Sequence, residues 1–69
     1  MAVQWDARFS GYKLNLNGNR RMENGKPVRY WNSITVFTID DRAEAIALAT
    51  KEAAKHGYDE VTIDHIVRI

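Results

Sequence analysis

The chain has 69 residues, with ten Lys or Arg against nine Asp or Glu and no cysteine. That length buries only one thin core, and the absence of cysteine excludes disulfides and thiol chemistry and suits a reducing, cytoplasmic setting. A net charge of +1 gives no overall pull toward nucleic acid or an anionic surface. No apolar run is long enough to span a bilayer and no basic-then-apolar signal segment is read at the start, so no membrane partner is expected.

The first predicted element is a strand. Val3, Trp5, Ala7 and Phe9 alternate with Gln4, Asp6, Arg8 and Ser10, the period-two pattern of a half-buried strand. After Gly11 the apolar phase flips to Tyr12, Leu14 and Leu16, and a one-residue slip at a glycine predicts a bulge or a strand break. Residues 15–27 are polar and carry Asn17-Gly18 and Asn24-Gly25. Asn-Gly is a strong turn signal, so this tract is expected to be a long, flexible hairpin connection.

Val28 to Ile39 is rich in β-branched and aromatic residues and predicts the second strand. Ile34 and Val36 point one way, Trp31, Phe37 and Ile39 the other, so both faces are expected to be partly covered. Asp41 followed by Glu44 approaches a capping box, and Asp40–Asp41 suits the positive end of a helix dipole. Ala43 to Lys55 then predicts a helix, stopped by Gly57. Ala43, Ala45, Ile46, Ala49, Thr50 and Ala53 share one face, so a mostly alanine surface should lie close on a sheet. Leu48 falls among Glu44, Lys51, Glu52 and Lys55 and is expected to be exposed. In the last segment Val61, Ile63, His65, Val67 and Ile69 alternate with Thr62, Asp64, Ile66 and Arg68, which predicts a third strand with its odd positions buried.

The order strand, strand, helix, strand predicts an α+β fold in one ββαβ domain over residues 1–69. Its sheet is three-stranded and antiparallel, the first strand lies between the second and third (order 2-1-3), and the helix covers one face.

Catalytic constellations are scarce. Ser10 and Ser33 lie in no nucleophile motif. His56 and His65 are nine apart without the short fixed spacing of a metal site. Both are better read as structural, one at a helix end and one in a strand. Gly11, Gly18 and Gly25 form no phosphate loop. No enzyme activity, cofactor or metal is expected.

Two surfaces are free to bind. One is the basic connection, with Lys13, Arg20, Arg21, Lys26 and Arg29 beside Tyr12, Tyr30 and Trp31, a combination able to meet phosphates and stack on bases. The other is the sheet face without a helix, expected to show Arg8, Trp31, Ile66 and Arg68 to a protein partner. The outer strands also leave free edges on which a partner strand or a second copy can pair.

The run ITVFTIDDRAEAIALATKEAAKHGYDEVTIDHIVRI, from Ile34 on, resembles the second half of small ββαβ proteins. These are the phage inhibitors of bacterial RNA polymerase and the archaeal LX ribosomal proteins. The resemblance covers about half the chain and rests on strand–helix–strand order. It implies a small non-enzymatic protein, of phage origin in the first case, that docks onto a larger host assembly as an accessory or inhibitor. A nucleic-acid-binding module using the basic hairpin and a structural subunit dimerising through strand edges are the alternatives.

Overall fold

The computed structural model describes Met1 to Ile69. In chain order its elements are β1 (Val3–Lys13), β2 (Met22–Glu23), β3 (Lys26–Pro27), β4 (Arg29–Thr38), α1 (Arg42–Lys55) and β5 (Tyr58–Arg68). β1 lies between β4 and β5 and is antiparallel to both, the expected α+β arrangement. β2 and β3 form a separate two-stranded ribbon.

α1 begins where the cap predicts. Asp41 has extended backbone and its side chain accepts from the N–H groups of Ala43 and Glu44, at 2.9 and 3.5 Å. At the other end Gly57 takes φ +90, the left-handed stop. Ala45, Ala49 and Ala53 are fully buried against the sheet, because methyl side chains let the helix backbone come close. Trp5, Ala7, Val36 and Ile66 complete the core with the first two of these alanines. The Trp5 indole N–H is satisfied by the Ile39 carbonyl at 3.2 Å. Leu48 is half-buried and packs on this core, which corrects the expectation that it is exposed. The helix lies over β1 and contacts β4 as well as β5, so a residue flanking the alanine stripe still reaches the β4 side.

The ladder from β1 to β4 runs in unbroken register from Val3↔Thr38 to Tyr12↔Arg29. β1 therefore does not change phase at Gly11, and Tyr12 falls on the same face as Arg8. The irregularities lie on the other side. Arg8 pairs with His65 but Phe9 with Ile63, leaving Asp64 as an extra residue of β5. Ser10 pairs with Thr62 but Tyr12 with Asp59, so Val61 and Glu60 oppose Gly11 alone. Each is a β-bulge. Gly11 makes room for the second one: a Cβ there would stand 3.1 Å from the Asp59 carbonyl oxygen and 3.3 Å from Tyr58 Cβ. Tyr58 fills that space and meets Phe9 edge-on, with ring centroids 4.8 Å apart.

The Asp64 bulge corrects the expected phase of β5. Ile63 and Ile66 both turn to the helix face, and His65 and Val67 turn away from it. Ile66 is only 2% exposed, so it belongs to the core and not to the open face. Arg68 pairs with Trp5, so it too lies on the helix side.

In the connection, both Asn-Gly signals make turns. Asn24 and Gly25, at φ 52 and 77, join β2 to β3 as a two-residue hairpin. Gly18 N–H donates to the Asn15 carbonyl at 2.9 Å, and Asn15 N–H to that of Asn19 at 2.7 Å.

Candidate functional site

The sheet face opposite α1 carries the even positions of β1, the odd positions of β4 and, beyond the bulge, His65 and Val67 of β5. It divides into two halves.

The half near the connection is closed by its own side chains. Arg29 reaches from β4 across β1. Its Nη2 donates to the Ser10 carbonyl and Oγ, both at 3.1 Å, to the Glu60 carbonyl at 2.9 Å and to Thr62 Oγ1 at 3.4 Å. This strap buries Ser10 on a face that nothing else covers and fastens the bulge at Glu60, a non-glycine residue at φ 50. Arg20 comes from the connection and bonds Asp59 at 2.8 Å and Glu60 at 3.3 Å. The hydrogen bond to Asp59, with the charge of Glu60 beside it, raises the Arg20 pKa above its ordinary value. The Arg20 and Arg29 guanidinium carbons lie 4.2 and 4.9 Å from the Tyr12 ring centre. Lys13 donates to the His56 carbonyl at 3.2 Å and sits 4.5 Å from the Tyr58 ring centre. Arg21 lies 5.8 Å from the Tyr30 ring centre, and Lys26 is exposed on the ribbon. Sequence reasoning grouped these five cations as a basic patch. The structure brings Arg20 and Arg29 together on Tyr12 and gives both internal partners.

The other half is open. Trp31 is 71% and Phe37 62% exposed there. They stand six residues apart on β4, about 20 Å along the strand. Between them Thr35 Oγ1 donates to Asp6 Oδ1 at 2.9 Å. Arg8 is exposed and joins none of the ion pairs. It borders a shallow depression of about 430 Å³ shared with Asp6, Ser33, Thr35, His65 and Val67. A second depression of about 330 Å³ joins Arg8 to Trp31.

Of the expected partner-binding residues, Arg8 and Trp31 are brought together here. Ile66 and Arg68 are not: Ile66 is core, and Arg68 pairs with Asp40 at 3.1 Å beside the start of α1. His65 and Val67 take their places. The signal for that exchange was the three-residue spacing of Ile63 and Ile66, which strict alternation cannot put on one face. No three His, Asp or Glu side chains converge as metal ligands, and no helix is long and apolar enough to cross a membrane. Comparison with family models, with curated proteins and with solved structures finds no match to this chain.

Proposed function

We propose that the chain is a small non-enzymatic binding protein that docks the open half of its sheet onto a larger host assembly, as an accessory or inhibitor. The observation that carries this reading is the pair Trp31 and Phe37, aromatic and mostly exposed, on a face with no helix over it and with the unpaired Arg8 between them. Interface energy concentrates in aromatic and arginine side chains that lose water on binding. The basic connection is the weaker candidate, because Arg20, Arg29 and Lys13 already have internal acceptors.

The test compares the parent with Trp31→Ala and Arg8→Glu in capture from host lysate. Both variants are expected to keep the parent's melting temperature and to lose the captured partner. Retention of the same partner by both overturns the reading. Nucleic acid bound at about 1 μM or tighter, and released when Arg21 and Lys26 are changed to Ala, moves the function to the connection.

A further inference from the structure

We propose that a second copy of this chain pairs with the free edge of β4 about a two-fold axis at Ile34, giving a continuous six-stranded sheet. The inference stands on the edge alone and does not rest on the docking reading.

The amide directions follow from one bond. Ile69 N–H donates to the Gln4 carbonyl at 2.9 Å, so the even residues of β1 address β5 and the odd ones address β4. The β4 partners of those odd residues are even, as in Ala7↔Ile34 and Trp5↔Val36. The N–H and C=O groups of Trp31, Ser33, Thr35 and Phe37 therefore point outward, unpaired by any strand. Only the Ser33 N–H has an acceptor, the Asn32 side-chain oxygen at 2.8 Å.

Native edges are blunted by charges, proline or bulges. β4 has none of these from Tyr30 to Thr38 and keeps a straight register. Self-pairing therefore opposes no like charges. An axis at Ile34 sets each residue opposite one of the same parity, so outward amides meet outward amides. Ser33 then faces Thr35 of the second copy, and Trp31 faces Phe37, twice by symmetry. The two exposed aromatics of the strand thus become direct cross-strand neighbours. Neighbouring registers put Trp31 opposite Thr35 or Ile39 instead. The helices do not obstruct the pairing. Each lies over its own β1, and the two β1 strands stand three strand spacings apart, about 14 Å, against the 8–10 Å of packed helices.

Sedimentation equilibrium of the full chain, with far-UV circular dichroism as the fold control, tests this. The parent is expected to pass from monomer to dimer mass as concentration rises. The double variant Ser33→Lys/Thr35→Lys sets lysines opposite each other at both symmetric positions and is expected to weaken dimerisation at least tenfold. Ser33→Lys/Thr35→Glu makes those pairs opposite in charge and is expected to retain the dimer. A parent that stays monomeric to roughly 1 mM overturns the proposal, whether or not it takes up an added strand peptide. So does a dimer that survives the double lysine change, which places the contact elsewhere, or one lost equally in both double variants.

Discussion

β4 and β5 flank the same central strand and differ in almost every other respect. β4 pairs with β1 residue for residue and carries no charge between Tyr30 and Thr38. β5 is bulged twice against the same strand and holds Asp59, Glu60, Asp64 and Arg68. A bulge adds local twist and breaks the row of edge amides, and charges oppose an incoming strand. The contrast separates a closed edge from an open one within a single three-stranded sheet. It also shows that a bulge can move side chains between faces, since Ile66 owes its burial to Asp64.

That re-phasing sets Ile66 and its neighbour Val67 on opposite faces of the sheet. Ile66 fills the core beside Ala7, whereas Val67 lies on the open face. Ile66→Ala should cost about 2–5 kcal/mol, and Val67→Ala less than about 0.5 kcal/mol, read from urea unfolding. A larger loss at Val67 than at Ile66 would restore the strict alternation of β5 and leave no bulge at Asp64.

Arg29 is next. Removing it strips donors from Ser10, Thr62 and the bulged Glu60 carbonyl and uncovers Ser10. Arg29→Ala should cost about 1.5–3 kcal/mol, the range for hydrogen bonds to charged groups, while Arg21→Ala changes stability by less than about 0.5 kcal/mol. Equal and small losses would mean that the strap does not hold the second bulge.

Gly11→Ala should be milder. The added methyl meets the Asp59 carbonyl and Tyr58 Cβ at 3.1 and 3.3 Å, a close fit that overpacks by about 1 kcal/mol. Stabilisation by the alanine would show that Asp59 and Tyr58 give way to the methyl, and that the space at Gly11 is not tight.

What the sequence showed and hid divides along the same line. The alternation of Trp5, Ala7 and Phe9, the Asp41 cap with its Gly57 stop, and the Asn24-Gly25 turn are local, and each was legible as it stands. The phase of β5 was not, because a bulge depends on what lies opposite, here the Arg8–Phe9 step of β1, which leaves Asp64 without a partner. The roles of Arg20 and Arg29 were hidden for a similar reason. Their acceptors at Asp59 and Glu60 lie 39 and 31 residues away, so a patch that looks free in one dimension is spent in three. Of the open face, Arg8 and Trp31 were legible from strand parity. His65 and Val67 follow only when the Ile63–Ile66 spacing is read as a slip at Asp64 rather than as strict alternation.

Asp64 is exposed and is the extra residue between Ile63 and His65. Deleting it leaves Phe9↔Ile63, Arg8↔His65 and Ala7↔Ile66 as a one-to-one ladder, with the two isoleucines inward and His65 outward. The faces are unchanged, so the deletion should alter stability by no more than about 1 kcal/mol. Amide exchange should still protect the residues around Ile66. A loss near that of Ile66→Ala would mean that the bulge does more than absorb a residue. The deletion also straightens part of the β5 edge and removes one charge from it. Growth beyond the parent's mass in sedimentation would place the protection of that edge in the bulge, whereas an unchanged mass would leave it with Asp59, Glu60 and Arg68.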